Sequence, residues 1–230
     1  PTGTSPLVDN NIVWAYVGTL AGWSLNHLTN GGMQGTGGTN TAGFVAGTTV
    51  PTGWTIGPSS PANVTLATAS TLSQQTITVV PAGSDAIPGY GWNVAFTSTG
   101  NSQIILSQSN GLRLKGGNWY QIRVTVTCVA DSPTLRSVAL RFNPTVTGAA
   151  PFQVRAGTFG NNGTTMPMLA NDTFELVQTF YYPTGLPVSV PSDNGFFIDI
   201  NNVGSGTVSL QFSNASMVPI PDPNTAPSAV

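Results

Sequence analysis

Charge is what this sequence has least of. Asp, Glu, Lys and Arg make up 6 % of its 230 residues, against about 25 % in an average soluble domain. Six cations and eight acids leave a net charge of −2, so there is no global positive field of the kind that holds a protein on phosphate backbones. Nucleic acid is therefore not an expected partner. Cysteine and histidine are equally scarce, with Cys128 and His27 the only ones. An internal disulfide is impossible, and zinc or iron–sulfur sites lack ligands. A Ser–His–Asp triad would have to use that single imidazole, and no G-x-S-x-G elbow accompanies it. Glu175 is the only glutamate, which leaves little choice for a glycosidase carboxylate pair. No enzymatic activity is expected. No charged residue occurs between Asn10 and Ser84, yet Gly, Thr, Ser, Asn and Pro interrupt every apolar run well short of the roughly 18 residues a membrane helix needs. Membrane insertion is not expected either. No cationic segment precedes an apolar run, so no signal peptide is read, and the start at Pro1 fits removal of an initiator Met or processing.

What is present is apolar and turn-forming. Hydrophobic residues are 40 % of the chain, with ten Phe, five Trp and five Tyr, and 27 Gly and 18 Pro punctuate it. That apolar content is enough for a core, and solubility falls to Thr, Ser, Asn and Gln. No window sustains helical periodicity, whereas strict alternation recurs. In Tyr120–Cys128, residues Tyr120, Ile122, Val124, Val126 and Cys128 share one face, and Gln121, Arg123, Thr125 and Thr127 the other, which predicts a half-buried strand. Ser137–Asn143 alternates likewise after the turn residues Asp131–Thr134. Further strands are predicted at Ile12–Val17, Val64–Ala67, Gln75–Val80, Asn93–Thr97, Gln103–Ser107, Phe152–Arg155, Thr173–Tyr182, Phe196–Ile200 and Thr207–Met217. About eleven strands between Gly/Pro/Asn loops predict an all-β fold, an antiparallel β-sandwich. The body spans 11–218, loop-rich to about residue 100 and strand-rich beyond. It is flanked by an N-terminal arm, 1–10, and a Pro-rich arm, 219–230, whose prolines favour an extended path. Such arms stay ordered only when held, which points to packing on the body or on neighbouring subunits, with a plain linker as the other reading.

Candidate site residues come from two patterns. Aromatic rings in turn-like settings are platforms for the apolar faces of sugars, which singles out Trp54, Tyr90, Trp92, Tyr181 and Tyr182, with core packing as the competing reading for each. Trp119 and Tyr120 open a long strand and are assigned to the core. All six cations fall between residues 113 and 155 with one acid, Asp131, so that stretch carries +5 and the remainder −7. This polarity makes Arg113, Lys115, Arg123 and Arg141 candidates for an interface with an acidic surface, such as another copy's acidic half. If the two central strands form a hairpin, Arg123 and Arg141 lie side by side, which is unfavourable without an anion between them. No cofactor is required by the sequence. A structural calcium held by loop carbonyls is the one metal considered, with Asp193 and Asp199, flanking Phe196–Ile198, as its carboxylates.

Several short motifs together resemble the β-jelly-roll modules of the carbohydrate-binding type, found beside bacterial glycoside hydrolases and in bacteriophage virion proteins. Leu28–Met33 is similar to the family's early N-x-x-F opening, and Val50-Pro51-Thr52-Gly53-Trp54 to its P-x-G-W turn. Leu114–Tyr120 resembles its G-x-x-Y entry into a central strand, and Thr207–Met217 its closing strand. The resemblance covers about residues 26–217 and implies a jelly-roll sandwich that binds glycan on a concave sheet face or edge loops. The closing strand usually carries a calcium-binding Asp, and here it reads Ser209-Leu210-Gln211-Phe212-Ser213-Asn214. The expected function is a non-enzymatic virion structural protein: a capsid-decorating, head-fibre or tail-associated module. Its partners would be other virion subunits or its own copies, with adhesion to cell-surface polysaccharide as a second role. The alternative is a carbohydrate-binding module of a secreted bacterial polysaccharide-degrading enzyme.

Overall fold

A computed structural model describes residues 26–28, 30–31, 33, 37–40, 50–58, 71–76, 90–108, 114–144, 152–157, 164–186 and 194–224. Eleven strands run through them: β1 Thr39–Asn40, β2 Thr55–Pro58, β3 Thr71–Thr76, β4 Tyr90–Thr99, β5 Ser102–Gln108, β6 Asn118–Ala130, β7 Leu135–Pro144, β8 Phe152–Gly157, β9 Thr173–Tyr182, β10 Asn194–Asn202 and β11 Ser205–Ile220. They form a six-stranded sheet, β1-β2-β5-β10-β7-β8, and a five-stranded sheet, β3-β4-β11-β6-β9. Every pairing is antiparallel except the short parallel β1–β2 ladder. No helix among the described residues is long and apolar enough to cross a membrane.

The topology follows one rule. β4 pairs with β11, β5 with β10, β6 with β9 and β7 with β8, as if one long hairpin, with its bend between β7 and β8, had been rolled into two sheets. That nested pairing is a jelly roll, and rolling it closes the sandwich over its apolar faces. Alternation decides which faces meet. On β6 the inward residues Tyr120, Ile122, Val124, Val126 and Cys128 are all fully buried. They face Ile104, Leu106, Leu140, Phe142, Phe196 and Ile198 from the opposite sheet in one continuous core. Full burial of each such side chain stabilises the fold by roughly 1.5–3 kcal/mol.

Strands predicted at Asn93–Thr97, Gln103–Ser107, Tyr120–Cys128, Ser137–Asn143, Phe152–Arg155, Thr173–Tyr182, Phe196–Ile200 and Thr207–Met217 all fall inside observed ones. Ile12–Val17, Val64–Ala67 and the arm 1–10 lie outside the described residues, as do 77–80 and 225–230. Pro219 and Ile220 belong to β11, opposite Tyr120 and Trp119, so the Pro-rich arm starts later than its composition implies.

The hairpin considered across Asp131–Thr134 does not form. β6 and β7 lie in different sheets, and the chain between them turns a corner pinned by buried Ser132. Its Oγ donates to the Ala130 carbonyl at 2.9 Å and accepts the Ser209 N–H at 2.9 Å, while its backbone bridges to Met168. Arg123 and Arg141 are therefore carried by opposite sheets.

Candidate functional site

The aromatic candidates divide by burial. Trp54 is fully buried: its indole N–H donates to the Asn30 carbonyl at 3.1 Å, and its ring packs edge-on against Trp92 and Phe196, with centroids 6.2 and 5.9 Å away. The Asn30 side-chain amide in turn donates to the Thr52 carbonyl, so Asn30 ties its segment to the Val50–Trp54 motif, and Leu28, Met33, Val50 and Trp54 all join the core. Trp92 shares the inward parity of Val94 and Phe96, and Tyr182 is likewise buried. Burial pushes the Tyr182 hydroxyl above its usual pKa range, with Tyr120 adding to the effect. As sugar platforms Trp54, Trp92 and Tyr182 are thus corrected: a ring inside the sandwich has no face to offer a glycan. The side chain of Tyr90 lies outside the described residues.

Tyr181 is different. It is 42 % exposed on the outer face of the five-stranded sheet, directly opposite Trp119 in the β6–β9 register. The two rings lie 5.5 Å apart and are tilted by 48°. Trp119 is half-buried rather than in the core, which corrects its assignment. The signal was present in the sequence, because the inward parity of Tyr120 turns its neighbour outward. Two glycines launch this end of β6. Gly117, at φ +85°, donates its N–H to the Tyr182 carbonyl at 2.7 Å. Beneath, the Tyr120 hydroxyl accepts the Lys115 N–H at 2.7 Å and donates to the Lys115 carbonyl at 3.2 Å, so the turn and the ring hold each other. The row Tyr181–Trp119–Ile220 is followed on the same face by Thr179–Gln121–Val218 and then Val177–Arg123–Ser216. An aromatic pair therefore adjoins an amide, a hydroxyl and a guanidinium on one face of the sheet.

The outer face of the six-stranded sheet carries a charged network instead. Asp199 points outward from β10 yet is only 2 % exposed. Arg141 grips both its oxygens, Nε to Oδ2 at 3.1 Å and Nη2 to Oδ1 at 3.2 Å, and Gln153 donates to Oδ2 at 3.4 Å. The Arg141 guanidinium lies 4.4 Å from the centre of the Phe197 ring, and that ring occupies the space a Cβ would take at Gly195. Arg155 and Asn201 both donate to the Ser137 hydroxyl, at 3.0 and 3.1 Å. Burial pushes the Asp199 carboxyl above the usual carboxylate range, although Arg141 and then Arg155 pull it back. Burial likewise lowers the Arg155 guanidinium.

This corrects the metal expectation at Asp199, whose two oxygens are occupied by a guanidinium. Asp193 lies outside the described residues, and among those residues no group of three His, Cys, Asp or Glu could hold a metal ion. Of the interface candidates, Arg113 also lies outside them, and Lys115 is exposed at the β6 turn. Arg123 sits 3.9 Å from Glu175 on the five-stranded sheet, so the cations are not gathered on one face. His27 packs edge-on against Tyr120, with ring centroids 5.4 Å apart.

No protein-family profile matches the chain, and no curated protein matches it in sequence. Solved structures similar to it are carbohydrate-binding β-sandwiches and related domains. The tailspike protein 4 enzymatically active domain of bacteriophage CBA120 has 14 % identity and a TM-score of 0.48, with 85 % of this chain covered but only 22 % of that one. A CBM4 structure has 14 % identity and a TM-score of 0.41, covering 74 % of this chain and 97 % of its own. TmCBM61 in complex with β-1,4-galactotriose has 12 % identity and a TM-score of 0.40, covering 86 % and 100 %. The chain thus spans about a fifth of the tailspike chain. Likenesses this distant carry no functional argument.

Proposed function

We propose that this chain is a non-catalytic glycan-binding jelly roll whose binding face is the outer surface of the five-stranded sheet around Trp119 and Tyr181. The observation that carries the reading is the tilted pair of rings on adjacent strands, Tyr181 exposed and Trp119 half-buried beside it on the outer face. Sugar rings stack their C–H faces on such platforms, and the neighbouring Gln121 and Thr179 are placed to bind hydroxyls. The setting we favour is a virion, as a decorating, fibre or tail-associated module. What supports that part is the sequence alone: a composition poor in charge and rich in Thr, Ser and Asn, and a Pro-rich segment after β11 suited to packing on neighbours. A module of a secreted polysaccharide-degrading enzyme would use the same face.

The test is isothermal titration against a panel of bacterial and plant polysaccharides. A binding polysaccharide should lose about tenfold in affinity, ~1.4 kcal/mol, for either Trp119→Ala or Tyr181→Ala, with little change in melting temperature for Tyr181→Ala, whose ring is the more exposed, and a cooperative transition retained in both. Unchanged binding in both variants would sink the site, and turnover of a bound glycan would sink the non-catalytic reading. Detection of the chain in purified phage particles by mass spectrometry tests the setting.

A further inference from the structure

The five-stranded sheet ends on β9. Along Thr173–Thr179 one edge of that strand pairs with β6 and, among the described residues, no strand pairs with the other. An edge of this kind presents a row of N–H and C=O groups without ladder partners, which proteins ordinarily guard with charged residues, above all Lys, with Pro or with a bulge; here the Thr179 carbonyl is taken by the Gln178 side-chain amide at 2.8 Å. β9 contains no Lys and no Pro, and its register with β6 runs through ten pairs without a shift. Its inward Phe174 is only half-buried, as are Val154 and Ala156 of neighbouring β8, so apolar surface remains along the seam between the two edges.

An extended strand is what fits such an edge, and the charges select a second copy of this chain. Glu175 is the only charge on β9, and it stands on the outer face, 3.9 Å from Arg123, with both side chains nearly half exposed. In an antiparallel β9–β9 pairing about a two-fold at Leu176, Glu175 faces the partner's Val177 and never the partner's Glu175. Because Arg123 sits opposite Val177 within each copy, the row continues to the partner's Arg123, two strand spacings or about 9–10 Å away. A long guanidinium side chain crosses that gap, so acid meets base on both sides of the two-fold. We propose that two copies join edge to edge through β9, giving one ten-stranded sheet in which Glu175 pairs with the partner's Arg123. The contact is isologous, and main-chain hydrogen bonds supply its affinity. It stands independently of the glycan reading.

Sedimentation velocity and multi-angle light scattering on the full chain, without glycan, test it. Wild type should show twice the chain mass at micromolar concentration. Glu175→Arg and Arg123→Glu should each reduce this to the chain mass, since each places like charges across the two-fold. The double swap Glu175→Arg/Arg123→Glu should restore the dimer. A monomeric wild type, a dimer that survives both single reversals, or a double swap that stays monomeric overturns the proposal. Near-UV circular dichroism checks that each variant is folded, and if one reversal fails to fold the other carries the comparison.

Discussion

Asp199 is a carboxylate that solvent scarcely reaches although it points away from the core, and its neighbours explain how that is tolerated. A bidentate guanidinium is the strongest available partner for a carboxylate, and Arg141 supplies it. Even so, desolvation outweighs the attraction and the carboxyl titrates above its usual range. A carboxyl whose folded pKa lies above its unfolded value, about 3.9, binds its proton more readily when native. Its contribution to stability is therefore full at pH below the unfolded value and is lost as pH rises through the folded one. In urea titrations, Asp199→Asn should remove that dependence, so the stability difference between wild type and variant should shift in favour of wild type as pH falls from neutral towards 4. A pH-independent difference would mean that the carboxyl is unperturbed.

At the scale of elements, the corner between β6 and β7 decides the architecture, because there the chain leaves one sheet for the other. Ser132 holds it with a buried hydroxyl that serves Ala130 and Ser209 together. Ser132→Ala leaves the partly buried Ser209 N–H without that acceptor, and an unsatisfied group costs about 1–3 kcal/mol when buried, which puts this one at the lower end. Chemical denaturation should show a loss in that range with the fold retained; a change well under 1 kcal/mol would move the corner's hold to the Met168 bridge. The same corner explains why Arg123 and Arg141 did not meet. Asp131–Thr134 has the composition of a turn, and composition does not say whether a turn reverses within a sheet or crosses between two.

For the whole molecule, nested pairing makes the last strand indispensable. β11 lies between β4 and β6 and contributes buried Val208, Leu210, Phe212 and Met217 to the core. A chain ended before Thr207 should show no cooperative thermal transition, and the intact chain should refold in the millisecond-to-second range of sandwiches built on distant pairings. A cooperative transition in the shortened chain would count against the shared core.

Alternation in Tyr120–Cys128 and Ser137–Asn143 was enough to place β6 and β7 and to name their inward residues, because the two faces of a strand are written in every second side chain, and Thr173–Tyr182 was legible as a strand. Tyr181 was singled out with Tyr182 for its turn-like setting before Pro183, which does not tell the exposed ring from the buried one. The two-residue β1 and the four-residue β2 are too short to carry such a pattern, and only pairing defines them. Trp54 and Trp92 lie beside turn-forming Gly and Pro, and local sequence gave no sign that these rings meet each other and Phe196 inside the sandwich. Nor could it show that Arg141 grips Asp199, 58 residues along the chain. Faces are local properties of a strand, fixed by its period. Partners are set by which faces the rolled hairpin brings together, and that belongs to the tertiary structure.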